Sequence, residues 1–147
     1  MANISTLLDQ WRVAVNSEAK NSSNPELLLV MAGNRLPVLG SVIYPIDSMR
    51  RNLDWVHVIA YNYYLPAGRD RVTFFHATLY GPSNMANTDY GINEWKRRSF
   101  LPSKLVLGLP YHGYAWTLLS PQKNPMGAVS KGPAITSDGA VGYKWFK

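Results

Sequence analysis

Aromatic and polar side chains follow two apolar segments of the chain, at places where a ligand could bind. One segment ends in Tyr61 and Asn62, and a later segment is followed by Tyr111 and His112, with Trp116 close behind. When such segments form parallel strands, ligands gather at the carboxyl ends of those strands. An aromatic ring binds a neutral sugar by stacking on the apolar C–H face of a pyranose. Tyr61, Tyr111 and Trp116 are therefore predicted to bind a sugar by stacking, and Asn62 and His112, at the same strand ends, complete the predicted site.

Other aromatic and imidazole side chains have a competing interpretation as core residues. Trp55 and Trp95 lie inside a predicted strand and a predicted helix, and His57 lies inside the same apolar strand as Trp55. We expect all three to serve packing. Three further aromatic residues lie close to these strand ends, and the sequence leaves open whether they belong to the site or to the core: Tyr63, Tyr64 and Tyr114.

The carboxylates are spread along the chain and do not form an acid–base pair. There are nine Asp and Glu residues, and none lies within four residues of another. Glycoside hydrolysis needs an acid of raised pKa, which a neighbouring carboxylate usually provides. Asp70 and Asp89, in or after the long polar stretch at 62–87, could reach a site and stay open as alternatives. The sequence predicts no catalytic residue.

No metal or cofactor site is predicted. The chain has no cysteine, which excludes a disulfide framework and a zinc site with cysteine ligands. Its three histidines, His57, His76 and His112, are far apart in sequence and lack ligand spacing. The sequence also lacks a GxSxG, an HExxH and a P-loop motif.

Composition and charge favour a globular protein without a nucleic-acid partner. Hydrophobic residues make up 46% of the 147 residues and charged residues 16%, and the net charge is +6. The basic groups at 50–51 and 96–98 fall at the ends of predicted helices, where cations complement the helix dipole. No stretch is apolar enough for a membrane span. The first 20 residues have helical spacing and are not typical of a signal peptide, so localisation stays open.

The predicted elements alternate between helix and strand. Helices are expected at 4–20, 44–52 and 88–98, and near-continuous apolar strands at 26–33, 53–61 and 103–110. The pair Asp138-Gly139 predicts a hairpin within 135–143. This order indicates an α/β fold with a parallel sheet or part of a barrel.

Several segments, in order, resemble one family. LDWVHVIAYNYY (53–64) is similar to the sixth-strand M-x-Y-D motif of family 18 glycoside hydrolases, and KLVLGLPYHGYAW (104–116) to their seventh strand. GPAITSDGAVGY (132–143) resembles part of the α+β subdomain inserted after it. The amino-acid sequence of these segments is most similar to that of plant class V chitinases. The resemblance implies part of a (β/α)8 TIM barrel, about strands five to seven, over 1–112 and part of the insertion over 113–147.

The resemblance also implies a chemistry and shows where this chain departs from it. The family cleaves β-1,4-linked N-acetylglucosamine polymers by a substrate-assisted mechanism, in which the substrate's acetamido oxygen attacks and a glutamic acid protonates the leaving oxygen. The motif tyrosine corresponds to Tyr61, the motif aspartate to Asn62, and a tyrosine after the seventh strand to His112. The fourth-strand D-x-x-D-x-D-x-E motif, which holds the catalytic acid, has no counterpart here.

From the resemblance we expect a chain that is truncated relative to other members of this family. We expect a chitinase-like protein that acts on or binds chitin or chito-oligosaccharides and is inactive as the isolated chain. The alternatives are a non-catalytic, lectin-like binder and a fragment of an active enzyme or receptor ectodomain. The resemblance implies an extracellular location. Open sheet edges predict an aggregation-prone chain that associates with itself or with the missing half.

Overall fold

The computed structural model describes residues 2–69, 71–82, 85–121 and 123–146. Its helices are α1 (Ala2–Ser22), α2 (Ile46–Asn52) and α3 (Thr88–Arg97). Its strands are β1 (Val30–Asn34), β2 (Val38–Leu39), β3 (Val42–Ile43), β4 (Trp55–Ile59), β5 (Leu105–Gly108), β6 (His112–Tyr114), β7 (Trp116–Leu118), β8 (Ser130–Pro133) and β9 (Ala140–Gly142). Short 3-10 turns span Pro102–Lys104 and Tyr143–Phe146.

The chain divides into two compact units. The first comprises Met1–Ile59 and Asp89–Gly108, and the second comprises Ala60–Thr88 and Leu109–Lys147. The sequence-based assignment of 1–112 to a barrel segment and 113–147 to an insertion concerns family correspondence and stays a prediction.

A parallel sheet forms the centre of the first unit. β4 lies between β1 and β5, with Val30 opposite Trp55 and Val56 opposite Leu105. Parallel strands need long crossovers, and helices supply them here. The predicted α/β class is confirmed, and a three-stranded parallel sheet is a partial barrel rather than a closed one.

One face of this sheet carries the core of the first unit. Val56 and Val58 of β4 are buried together with Met49 of α2, Trp95 of α3 and Phe100. A Cβ on Gly33 of β1 would lie only 3.2 Å from the Trp95 ring, so glycine allows the close approach. The predicted core role of Trp95 is confirmed, whereas that of His57 is wrong, because His57 is exposed and its Nε2 accepts a 2.9 Å hydrogen bond from Trp55 Nε1. Along α1 only part of the apolar spacing is used, because Leu8 is buried whereas Ile4, Leu7 and Trp11 are exposed.

A polar cluster joins α1 to the beginnings of β1 and β4. Arg12 Nη2 lies 2.8 Å from Asp54 Oδ2, and the same oxygen accepts a hydrogen bond of 2.7 Å from the Leu29 backbone N–H. Burial raises the pKa of Asp54, but the hydrogen bonds from Arg12 and Leu29 outweigh it, so the pKa is lowered overall. A charged Asp54 therefore stabilises this end of the sheet.

The second unit contains two antiparallel pairs. β6 pairs with β9, and β7 pairs with β8 through a register irregularity at Thr117 and Leu118. The predicted hairpin at Asp138-Gly139 is wrong, because β9 pairs with β6 rather than with the residues just before the turn. Gly139 does have a left-handed backbone, with φ +80°. Within the part of the chain that the structure describes, no helix is both long and apolar enough to cross a membrane.

Candidate functional site

The conformation of Asn62 places its side chain among aromatic neighbours of the second unit. Its φ is +62°, in the left-handed region, which asparagine tolerates better than most residues. Its Oδ1 accepts a 2.9 Å hydrogen bond from the Tyr114 hydroxyl and lies 3.3 Å from His112 Nε2. Two segments 50 residues apart in sequence therefore meet at this amide oxygen.

Four aromatic rings form a cluster beside Asn62, called the ring cluster below: those of Tyr61, His112, Tyr114 and Trp116. The rings of Tyr61 and His112 lie 6.1 Å apart and nearly perpendicular, and those of His112 and Tyr114 lie 5.4 Å apart. The Tyr114 ring in turn lies 6.2 Å from Trp116. Four of the five predicted site residues are thus joined directly or through Tyr114.

Tyr111 lies apart from this ring cluster. Its side chain is 93% exposed, and it lines a shallow groove of about 320 Å³ with Pro110, His112, Gly113 and Tyr143. Among the ring contacts of the described residues, none involves Tyr111. His112 lines this groove too, so the groove and the ring cluster share one residue.

His76 extends the ring cluster, and sequence reasoning did not select it. Its ring lies 5.2 Å from that of His112 and 5.0 Å from that of Tyr114. Its Nε2 is 3.1 Å from the His112 carbonyl oxygen. A carbonyl only accepts, so Nε2 carries a proton and donates it to this oxygen. The one available signal was its position inside the long polar stretch at 62–87.

The environment keeps both His76 and Tyr114 uncharged. Burial lowers the pKa of His76, the neighbouring His112 lowers it further, and the hydrogen bond to the His112 carbonyl opposes the change. Burial raises the pKa of Tyr114, and the charge of Asp138 raises it further. Tyr114 therefore remains a phenol that donates to Asn62 at neutral pH.

This arrangement leaves the amide nitrogen of Asn62 available. Oδ1 is occupied by Tyr114 and His112, whereas Nδ2 has no hydrogen-bond partner within the described residues. An amide nitrogen carries two donors and no acceptor. The residue thus offers N–H groups to a ligand, where a carboxylate would offer only acceptors.

A cavity of about 500 Å³ lies against the ring cluster. Its walls include the rings of Phe74, Phe75, His76, Tyr114 and Trp116. Phe74, Phe75 and Trp116 also line a second cavity of about 360 Å³. Aromatic walls of this kind suit the apolar face of a sugar ring. The indole Nε1 of Trp116 is buried and lacks a partner among the described residues.

The described part of the second unit contains one carboxylate, Asp138. Its surroundings favour the charged form. Its Oδ1 accepts hydrogen bonds of 3.0 Å from the Ala140 backbone N–H and 3.1 Å from Thr136 Oγ1. These bonds lower the pKa of Asp138. A carboxyl group with a lowered pKa has no proton to donate at neutral pH, so Asp138 does not fit the role of general acid.

The sequence left Asp70 and Asp89 open as carboxylates that could reach the site, and the structure describes only one of them. Asp89 belongs to the first turn of α3, where its Oδ2 accepts a 3.2 Å hydrogen bond from Asn93 Nδ2, which suits a helix-stabilising role. Asp70 lies outside the described residues. Among the residues that the structure describes, no group of three or more His, Asp or Glu side chains could hold a metal ion.

Comparisons with known proteins match nearly the whole chain. The family model of glycosyl hydrolases family 18 matches residues 1–146. A class V chitinase of Arabidopsis thaliana is 42% identical over 144 residues, which is 97% of this chain and 38% of that protein. A class V chitinase CHIT5 of Lotus japonicus is 34% identical over 97% of this chain and 37% of its own length.

Solved structures give the same match in three dimensions. The class V chitinase from Nicotiana tobaccum has a TM-score of 0.93 and 37% identity, and the match covers 99% of this chain and 42% of that one. A mutant of that protein in complex with NAG4 has a TM-score of 0.91 and 38% identity, covering 97% and 42%. A chitinase-like agglutinin from Robinia pseudoacacia has a TM-score of 0.83 and 32% identity, covering 99% and 42%. The chain thus spans about two fifths of the length of these relatives.

Proposed function

Because the chain belongs to family 18 of the glycosyl hydrolases, we propose that it is a chitinase-like protein for β-1,4-linked N-acetylglucosamine polymers. The ligand is a chito-oligosaccharide, bound by Tyr61, Asn62, Tyr111, His112 and Trp116, and the isolated chain does not cleave it. Residues 1–112 correspond to the barrel segment of the family and residues 113–147 to part of its insertion. Relatives of the same fold crystallised with chito-oligosaccharides support this ligand class.

The hydrogen bonding of Asn62 is the observation that carries the proposal. With Oδ1 bonded to Tyr114, its Nδ2 donors suit the carbonyl oxygen of an acetamido group. Tyr61, 6.1 Å from His112 between ring centres, adds a second polar aromatic group beside the amide. An acetamido group is what distinguishes N-acetylglucosamine from glucose, so these donors supply specificity for it.

The proposed hydrogen bond from Asn62 Nδ2 to the acetamido oxygen argues against cleavage. Substrate-assisted hydrolysis needs the acetamido oxygen as nucleophile. An amide N–H that donates to this oxygen withdraws electron density from it, and no negative charge on Asn62 compensates. In addition, Asp138 has a lowered pKa and cannot protonate the leaving oxygen. Both steps of the chemistry are thus disfavoured by the described side chains.

A second candidate function is catalysis as part of a longer protein. The relatives are more than twice as long as the part matched here, and an acid from a D-x-x-D-x-D-x-E segment would supply the missing proton donor. The coding sequence upstream of Met1 tests this candidate directly. A segment with that motif would favour it, and a stop codon in frame would rule it out.

The self-association predicted from the sequence also remains a proposal. β1 and β5 each pair with one strand among the described residues, and an unpaired strand edge can take up another chain. Light scattering over a range of concentrations measures it. A monomer at every concentration that still melts cooperatively would exclude it.

Calorimetric titration with the tetramer of N-acetylglucosamine tests the proposed function. The neutral β-1,4-linked glucose tetramer serves as the comparison, since it lacks the acetamido group and adds no charge. We expect saturable binding of the first and at least tenfold weaker binding of the second, because a lost hydrogen bond to a ligand leaves a desolvated donor. Equal affinity for both would contradict the proposed role of Asn62.

The variant Asn62→Gly sharpens this test. Glycine adopts a φ of +62° without strain, so the substitution removes the amide without disturbing the backbone. We expect the affinity for the acetylated tetramer to fall roughly tenfold, while the affinity for the glucose tetramer stays unchanged. Release of product from a chromogenic chito-oligosaccharide by the isolated chain would overturn the non-catalytic part of the proposal.

A further inference from the structure

Another cavity of the second unit, distinct from the two with aromatic walls, has a different chemistry from the aromatic site. It measures about 360 Å³, and its lining carries three cationic side chains, from Arg69, Arg71 and Lys131. The rest of the lining is small or apolar: Pro66, Ala67, Gly68, Gly132 and Pro133. No acidic side chain of the described residues contributes to it.

The three cations lack counter-ions within the described chain. The ion pairs of the described residues involve Arg12, Arg50, Arg51 and Arg97, all of them in the first unit. Three positive charges around one cavity repel one another unless an anion shares them. An oxyanion would relieve this repulsion and accept hydrogen bonds from each side chain, bidentate ones from arginine.

The backbone holds two of these residues together. The Arg71 carbonyl accepts a 2.7 Å hydrogen bond from the Ser130 N–H, and Lys131 is the next residue of β8. Val72 and Val129 add an isolated bridge beside this contact. Arg71 has a φ of +44°, a conformation that costs free energy for a residue with a side chain and recurs where function requires it.

The other side of the cavity is fixed as well. Pro66 is fully buried, and a Cβ on Gly139 would come within 2.7 Å of it, so the two residues are tightly packed. The Gly68 N–H donates a 2.9 Å hydrogen bond to the Leu65 carbonyl, which closes the turn before Arg69. A Cβ built on Gly132 meets nothing within 4 Å, so the cavity is open on that side.

From this arrangement we infer that the second unit has an oxyanion site, formed by Arg69, Arg71 and Lys131, that takes a sulfate or phosphate group. The group is either a free ion or a substituent on a saccharide. Arg71 and Gly68 also line a smaller cavity of about 140 Å³ together with Asn62. A sugar held at Asn62 could therefore extend a charged substituent toward Arg71. This inference does not depend on the proposed sugar binding, because the free ion is tested separately.

Titration with inorganic sulfate and inorganic phosphate, followed by calorimetry and by amide NMR shifts, tests the site. We expect saturable binding to the wild-type chain, weakened about tenfold or more in both Arg71→Gln and Lys131→Gln, because each loses a charge-assisted hydrogen bond. Lys123→Gln is the matched control, since it removes one exposed positive charge of the same unit outside the cavity. It should change the affinity less than twofold.

Two further variants protect the test against misfolding and against a nonspecific charge effect. Lys131→Arg keeps the charge and should keep the affinity within about threefold. Asp70→Asn removes the negative charge between the two arginines in the sequence and should tighten sulfate binding. Equal weakening in Arg71→Gln, Lys131→Gln and Lys123→Gln would overturn the site, as would the absence of saturable binding in the wild type.

A sulfated sugar separates the two sources of the anion. N-acetylglucosamine 6-sulfate that binds more tightly than both inorganic sulfate and N-acetylglucosamine assigns the group to a saccharide. Affinity equal to that of inorganic sulfate assigns the site to the free ion. If sulfate binds but the acetylated tetramer does not, the oxyanion site stands and the proposed sugar function fails.

Discussion

The two units of the chain use their aromatic residues in different ways. In the first unit, Trp95 is fully buried in an apolar core, with its ring 5.4 Å from those of Tyr44 and Phe100. In the second, Tyr61, Tyr114 and Trp116 are only partly buried and contact imidazole and amide groups. Under the proposed function, the first unit supplies stability and the second supplies recognition.

The largest effect is expected from Trp95→Ala in the first unit. The substitution removes a fully buried ring and leaves a cavity, so the free energy of unfolding should fall by about 3–5 kcal/mol. Denaturant titration followed by circular dichroism measures it. Trp11→Ala is the control, since that side chain is 53% exposed on α1 and its loss should cost about 0.5 kcal/mol or less.

Asp54→Asn should have the next largest effect. It removes the charged partner of Arg12 and of the Leu29 N–H, so the free energy of unfolding at pH 7 should fall by about 2 kcal/mol. The pKa of Asp54 is lowered in the folded state, so its contribution is present above the unfolded value of about 3.9 and is lost as the pH falls through the lower folded value.

The pH dependence of that difference provides the check. Denaturation curves of wild type and Asp54→Asn should converge as the pH is lowered below about 3.9. Asp47→Asn is the control, because its carboxylate is 77% exposed and its pair with Arg50 should contribute about 0.5 kcal/mol or less. A difference that stays constant at all pH values would show that Asp54 acts by packing instead of charge.

Tyr114→Phe tests the proposed recognition role of the second unit, with a smaller expected effect. It keeps the ring but removes the donor to Asn62, so the affinity for the N-acetylglucosamine tetramer should fall roughly three- to tenfold. Calorimetric titration measures it. Tyr80→Phe, at a site that is 70% exposed, should leave the affinity unchanged. If both variants bind like the wild type, Asn62 does not need Tyr114 for its orientation.

The smallest effect is expected from the titration of His76. Its pKa is lowered in the folded state, so the unfolded chain takes up a proton first as the pH falls. The free energy of unfolding should therefore be unaffected by His76 above its ordinary value of about 6.5 and should decrease as the pH falls below it. Thermal melts between pH 5 and pH 8 should show a smaller decrease for His76→Gln than for the wild type.

The sequence predicted the first unit better than the second. Continuous apolar strands and amphipathic helices are local signals, so the order of elements and the core role of Trp95 followed from spacing. The strand predicted at 26–33 is displaced to Val30–Asn34, because Leu29 and Asp54 fix where pairing begins. Exposed Leu27 and Leu28 precede it, and apolarity alone could not tell them from strand residues.

The second unit depends on contacts that local signals do not contain. β6 pairs with β9, and the Asn62 oxygen meets Tyr114, 52 residues away. Tyr114 appeared in the sequence as one aromatic residue among several, and His76 as an isolated histidine. Only the pairing of distant segments shows that both belong with Asn62. The Asp138-Gly139 signal identified a turn correctly but not the strand's partner, because turn chemistry specifies conformation and not long-range pairing.

The left-handed backbone at Asn62 has a consequence for how this position can change over time. Asparagine, aspartate and glycine all tolerate such a conformation, whereas a β-branched side chain does not. Exchange between amide and carboxylate is therefore open to the fold without rebuilding the loop. A lineage could therefore lose and regain a negative charge at this position by a single replacement, and the electrostatics of the pocket beside Tyr114 would change while the backbone stayed as it is.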